Sequence, residues 1–163
     1  MAKKVKDLRP PRGLARIGFR LPIQLYRIGL GGLLGHRFLL LTHVGRKSGK
    51  ERKNVLEVVR YDPEKEAFIV AVGFGKSSDW YQNIIANPHV QVQCANRHWK
   101  MIAHQLSPEQ GGQELLQYSH KYPLAWKELA SFMGYEVAGT DEDVRSLGNE
   151  ITLIQFLPEE KHS

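Results

Sequence analysis

The chain has 163 residues, a length that fits one domain able to bury a core without disulfides or a metal. Its single cysteine, Cys94, excludes an internal disulfide and reads as a buried strand residue in a reduced, cytosolic setting. The net charge of +6 is unevenly spread: residues 1–53 hold fourteen Lys and Arg against Asp7 and Glu51, a net +12, while the other 110 residues carry −6, an asymmetry that points to phosphate, a membrane surface or nucleic acid as partner.

Residues 1–12 carry basic residues up to Pro10-Pro11 and read as a loose arm. From Gly13 to Leu34, Leu14, Ile17, Leu21, Leu25 and Ile28 recur at helical spacing, with Arg12, Arg16, Arg20 and Arg27 between them. Pro22 breaks this pattern into two short helices. No run of 18 apolar residues occurs, so no spanning helix is expected, and the basic start lacks the apolar stretch of a signal peptide. The arginine-rich helix reads either as a cover for the rest of the fold with a wet face, or as a segment lying on anionic lipid.

Arg37 to His43 is a short apolar run expected to form a buried strand, and Gly45 to Gly49 a turn. Asn54 to Tyr61 and Glu66 to Val72 are expected as the next strands. Ser77 or Ser78 is placed as the cap of a short helix that begins with Asp79 and presents Trp80, Ile84 and Ile85 on one side, ending at Asn87-Pro88. Val90, Val92 and Cys94 alternate with Gln91 and Gln93 as a half-buried strand, paired with Arg97 to Leu106 across Ala95-Asn96. Ser107, Pro108 and Gln110 form a capping box, with Gly111-Gly112 weakening the helix that follows. Pro123 starts a further helix with Ala125, Leu129, Phe132 and Met133 on its apolar side, and Ile151 to Leu157 is expected as the last strand. Strands without regular strand–helix–strand alternation argue against a Rossmann fold and for a barrel or meander.

Gly45-Arg46-Lys47-Ser48-Gly49-Lys50-Glu51-Arg52-Lys53 packs five bases into nine residues. Two glycines let the chain turn with exposed amides, and Ser48 adds a hydroxyl, a combination suited to phosphate or carboxylate groups. On composition alone it reads equally as a solvated basic hairpin turn. It is not a nucleotide P-loop, because Gly45 and Gly49 are one residue too close and Glu51 stands where a hydroxyl residue is needed. No G-x-G-x-x-G fingerprint or zinc spacing is present, and His98 and His104 are too far apart for a metal pair, so no metal is expected. Basic residues are not interleaved with aromatics along a strand face, so a nucleic-acid partner is not expected.

The stretch LTHVGRKSGKERKNVLEVV, followed by GFGKSSDWYQNIIANPHVQVQ, resembles the deazaflavin-dependent nitroreductase family. Thr42, Gly45, Arg46, Lys47, Ser48, Gly49 and Arg52 match its first motif; Trp80, Tyr81, Asn83, Ala86, Asn87, Pro88 and Val90 match its second. The resemblance runs from about Leu25 to Gln93 and more weakly to the final strand. It implies a mainly β, α+β fold: an antiparallel split β-barrel of the FMN-binding type over residues 37–163, with residues 1–36 as a basic arm and helices on or beside it. It implies coenzyme F420, a deazaflavin with a phospholactyl-oligoglutamate tail, with FMN on the same barrel as the alternative. Arg46, Lys47 and Arg52 then hold phosphate or tail carboxylates, and Thr42, Gly45, Ser48, Gly49 and Asn54 complete that side of the cofactor site. Gly73, Phe74, Gly75, Lys76 and Ser77 lie along the ring with Trp80 near it.

The activity so implied is hydride transfer from reduced F420 to a small organic acceptor: an activated C=C, a quinone or a nitro compound. Tyr122 is the candidate proton donor, with a packed aromatic as the other reading; Tyr122-Pro123 resembles the first of several tyrosines that line the substrate pocket in some nitroreductases, and Ala125 and Glu128 stand where further ones occur. Glu57 reads as a support for the ring edge or, in preference, as the partner of an arginine, and His43 as a satisfied structural histidine near the turn. A homodimer and peripheral membrane contact through the N-terminal helix are the partner expectations beside the small-molecule substrate. A non-catalytic lipid or ligand carrier on this scaffold is the rival outside enzymes.

Overall fold

The computed structural model describes residues 3–4, 36–73, 75–136 and 140–160. The helices expected over 13–34, and Phe74, lie outside them. Among the described residues, six strands close an antiparallel barrel in the order β2 (Phe38–Val44), β3 (Glu51–Asp62), β4 (Ala67–Ala71), β8 (Leu153–Pro158), β6 (Arg97–Gln105) and β5 (His89–Cys94). The expected mainly β barrel with peripheral helices is thus present. β1 (Lys3–Lys4) pairs with β7 (Tyr135–Glu136), so these two residues of the N-terminal arm are not loose.

The barrel interior follows from period-two alternation. Leu39 and Leu41 of β2, Phe68 and Val70 of β4, Val90 and Val92 of β5, Met101 of β6, and Ile154 and Phe156 of β8 meet inside. The same alternation in β3 sends Val58 to the interior and Val59 to the outer helical layer, beside a register shift between Val58 and Arg60. Helix α1 (Asp79–Ala86) adds Trp80, Tyr81 and Ile84 to the interior cluster. Ile85, expected on the buried side, is 55% exposed, because the buried stripe runs through Trp80, Tyr81 and Ile84 instead. Ser78 sits at the N-cap, but its hydroxyl donates to the Gly75 carbonyl at 2.8 Å rather than capping the helix.

Outside the barrel, α2 (Pro108–Lys121), α3 (Pro123–Phe132), α4 (Asp141–Ser146) and a 3-10 turn (Leu147–Asn149) form the second layer. Ile69 and Leu153 pack there against Leu115, Tyr118, Trp126, Leu129 and Leu147. The Ser107–Gln110 capping box forms as expected. Gly111 and Gly112 do not interrupt α2, which runs through them for 14 residues. A side chain at Gly112 would overlap the Arg145 backbone, and one at Gly148 the Pro108 carbonyl; the glycines permit close docking of these segments, and that packing outweighs their low helix propensity.

Candidate functional site

Two polar regions lie at opposite ends of the β2–β3 hairpin. Val44 pairs with Glu51 at the turn end, and Phe38 with Glu57 at the other. Six residues of strand separate them, about 20 Å.

At the turn end the chain folds on itself. The Gly45 amide donates to the Lys50 carbonyl at 2.8 Å, and the Gly49 amide to the Gly45 carbonyl at 2.9 Å. Ser48 Oγ accepts from the Lys50 amide and would lie 2.6 Å from any Cβ at Gly45. Gly49 adopts φ +70, the left-handed conformation that favours glycine. Lys47, Lys50, Arg52 and Lys53 are exposed and have no ion-pair partner among the described residues. The amides of Lys47 and Ser48 likewise have no partner there. Four of the five bases therefore stand open around the turn, with Arg52 and Lys53 on opposite sides of β3.

Arg46 turns the other way. Its amide and its Nη1 both donate to Asn83 Oδ1, at 3.1 and 2.9 Å. Its outer edge meets Asp79 Oδ1 at 3.3 Å. Asp79 and Asn83 stand four residues apart on one face of α1, so both can reach the same side chain. Behind them His43 is buried at 2% exposure and Asn83 at 3%. Asn83 Nδ2 lies 3.1 Å from His43 Nδ1, and His43 Nε2 lies 2.7 Å from Asn54 Oδ1. Burial lowers the His43 pKa; the Asn54 bond opposes this, Arg52 reinforces it and Asp79 opposes it. His43 is therefore the satisfied histidine expected, while Asn54 faces it.

The remaining predicted residues divide. Thr42 lies on β2 opposite Lys53 and Gln91. A Cβ at Gly73 would stand 3.7 Å from the Met133 side chain, and Gly75, Lys76 and Ser77 are exposed just before α1. Trp80 packs in the barrel interior, with its ring edge-on to Tyr81. Tyr122 belongs to neither the turn nor this loop. It sits between α2 and α3, beside a cavity of about 930 Å³ outside the barrel.

That cavity is bounded by β3, α2 and the start of α3. Glu57 enters it from β3, where the Tyr118 hydroxyl donates to its Oε1 at 3.0 Å. Among the described residues no arginine forms an ion pair with Glu57, which takes the Tyr118 phenol instead; Arg60 grips Glu114 of α2 through its Nε and Nη2 at 2.7 and 2.9 Å. Burial raises the Glu57 pKa, which the Tyr118 bond and then the Arg37 charge hold back, while Glu128 adds to the rise. Burial, then the Glu57 charge, raises that of Tyr118. Tyr122 packs 5.6 Å from the Tyr118 ring, with Lys121 Nζ over its face, and is 47% exposed. Its hydroxyl has no partner among the described residues. Leu124, 78% exposed, adds an apolar rim.

The sequence pointed to neither the Asn83 tie to Arg46 nor the Tyr118–Glu57 pair. A signal for the first was present: Asn83 interrupts the apolar stripe of α1 beside Ile84, and a polar residue buried there needs partners. Tyr118 and Glu57 are 61 residues apart, and nothing local links them. No group of His, Cys, Asp and Glu able to hold a metal occurs among the described residues.

A family profile described as F420H(2)-dependent quinone reductase matches residues 20–136. F420H(2)-dependent quinone reductases from two strains of Mycobacterium tuberculosis are each 30% identical over 98 residues, which cover 55% of this chain and 63% of theirs. The chain thus aligns with less than two thirds of those relatives' length. An F420-H2 dependent reductase structure superposes with a TM-score of 0.51 at 23% identity, covering 75% of this chain and 95% of its own. A domain-swapped dimer superposes at 0.52 and 24%, covering 82% and 94%. A Listeria innocua protein named for pyridoxamine 5'-phosphate oxidase superposes at 0.50 and 13%, covering 84% and 94%. These likenesses place the barrel among split barrels of the FMN-binding type.

Proposed function

The chain belongs to the F420H(2)-dependent quinone reductase family, and on that premise we propose that it is an oxidoreductase using reduced coenzyme F420 to reduce a small organic acceptor of the quinone or activated C=C type. The observation that carries this is the set of exposed cations around the GRKSGKERK turn. Lys47, Lys50, Arg52 and Lys53 are exposed and unpaired among the described residues, and two free amides lie beside them. A tail of phosphate and several carboxylates uses all of these; the shorter FMN phosphate uses fewer. FMN is the second reading, favoured by the barrel type alone.

When bound, the deazaflavin supplies the hydride chemistry. The chain supplies grip at the turn end and a site for the acceptor at the cavity end. The roughly 20 Å between them suits an elongated cofactor anchored by its tail. At the cavity, Tyr122 presents a phenol hydroxyl that can hand a proton to the acceptor oxygen or carbon. Tyr118 and Glu57 keep a buried phenol and a half-buried carboxyl beside it, with Glu57 retaining its proton to higher pH than an exposed glutamate. Leu124 and Pro123 offer an apolar surface for a flat ring. A homodimer is the assembly proposed, in keeping with the domain-swapped dimer among the structural neighbours.

Fluorescence titration with oxidised F420 and with FMN tests the reading. F420 is expected to bind more tightly. If neither binds below about 100 μM, the cofactor proposal fails. Oxidation of reduced F420 by a naphthoquinone, followed by absorbance, then tests the acceptor class.

A further inference from the structure

We propose that Asn54, His43 and Asn83 form a positioning chain whose outer end is Arg46, and that Asp79 is a built-in competitor for the anion at the cationic turn. The identity of that anion rests on the function proposed above; the geometry does not.

The proton positions along the chain follow from one fixed point. Two donors of Arg46, its amide and Nη1, converge on one side of the Asn83 amide, so that side is the carbonyl oxygen. Asn83 therefore turns its NH₂ toward His43, and His43 Nδ1 accepts. A neutral imidazole that accepts at Nδ1 carries its proton on Nε2 and donates it to Asn54 Oδ1. Every bond runs in the same sense, from Arg46 inward to β3, without an ionised group inside. Desolvation of His43 favours this neutral form.

Such a chain ties the turn from behind. It consumes the amide and one guanidinium nitrogen of Arg46, yet leaves the positive charge of the turn uncancelled. His43 and Asn83 act through Arg46 and are positioning residues. Asp79 does the opposite. Its carboxylate is 87% exposed and touches the arginine's outer edge at 3.3–3.4 Å, longer than the 2.9 Å bond to Asn83. An exposed pair of this length adds little stability. It does place a negative charge beside the anion site and occupies nitrogens that an incoming phosphate or carboxylate could use. The one acid and the one amide that meet Arg46, Asp79 and Asn83, thus have opposite effects on anion affinity.

Oxidised F420 is titrated against the protein, Asp79→Asn and Asn83→Leu, at about 50 and about 500 mM salt. Asp79→Asn is expected to tighten binding about two- to fivefold at low salt, with the gain shrinking at high salt. Asn83→Leu is expected to weaken it about tenfold or more. Nitrogen-15 NMR of the unliganded protein should show His43 protonated at Nε2 and bare at Nδ1. Unchanged or weaker binding in Asp79→Asn, undiminished binding in a folded Asn83→Leu, or a His43 proton on Nδ1 overturns the proposal. Should Asn83→Leu fail to fold, Asp79→Asn and the NMR decide. If the unaltered protein does not bind F420, the cofactor reading is lost; the same variants are then titrated with inorganic pyrophosphate, and the same opposed effects are required for the chain to stand.

Discussion

The two ends of the β2–β3 hairpin both hold polar groups away from water, but they respond to protons in opposite directions. At the turn end, His43 is held neutral, with its pKa lowered chiefly by burial. As pH falls below the ordinary histidine range the unfolded chain takes up a proton that the folded site resists, so this end loses stability in acid. The charge would also sit on Nδ1, where Asn83 now donates. At the cavity end, Glu57 has a raised pKa. The folded state keeps that proton above the ordinary glutamate pKa, so this end loses stability as pH rises from there through the raised value. The turn end keeps its cations in water and hides only neutral groups behind them. The cavity end brings the ionisable groups themselves half inside. The first arrangement suits gripping a charged group, and the second suits holding a proton beside an uncharged one.

The cavity end should be the easier to break by packing. Gly148→Val, which has no room beneath the Pro108 carbonyl, should destabilise by about 3 kcal/mol and detach α2 from the 3-10 turn, seen as a drop in Tm with loss of tight acceptor binding. The turn end should break by charge alone. Lys47→Ala or Arg52→Ala should weaken F420 binding by about 1.5–3 kcal/mol, less at high salt, with Tm unchanged. An unaltered affinity in both would put the anion elsewhere. Tyr118→Phe removes the donor to Glu57 and should lower stability by about 1–2 kcal/mol at neutral pH, with less loss below the glutamate range, where Glu57 is protonated in both states. Glu57→Gln keeps an oxygen for Tyr118 and should raise Tm at pH 7 but not in acid; a gain that persisted in acid would contradict the burial account of Glu57. Arg97→Ala serves as the reference: its exposed pair with Glu66 should be worth under about 1 kcal/mol in a thermal melt.

Much of the fold was legible because its signals are local. Strand boundaries moved by a few residues at most: the run predicted from Asn54 begins at Glu51, since Glu51, Arg52 and Lys53 pair with β2 although their side chains carry no apolar alternation. The capping box of α2 was readable from Ser107 and Gln110, which lie within one turn. Gly112 misled because its propensity is local while its reason, the approach of the Arg145 backbone, is 33 residues away. The same division holds at the site. Gly45, Ser48 and Gly49 make their turn among themselves, and their spacing announced it. Arg46 read as one more cation, and only the placement of α1 turned it inward to Asn83 and Asp79.

By itself, then, the sequence determined the barrel's alternating strands, the basic turn and the motifs that align it with its family, because each depends on residues near one another in the chain. The tertiary structure alone decided which cations face water, that His43 and Asn83 share a buried chain of hydrogen bonds, and that Glu57 meets the Tyr118 hydroxyl. Those outcomes depend on which buried polar groups come within bonding distance once the barrel closes and the helices dock, and a buried donor or acceptor must find its partner wherever the fold brings one.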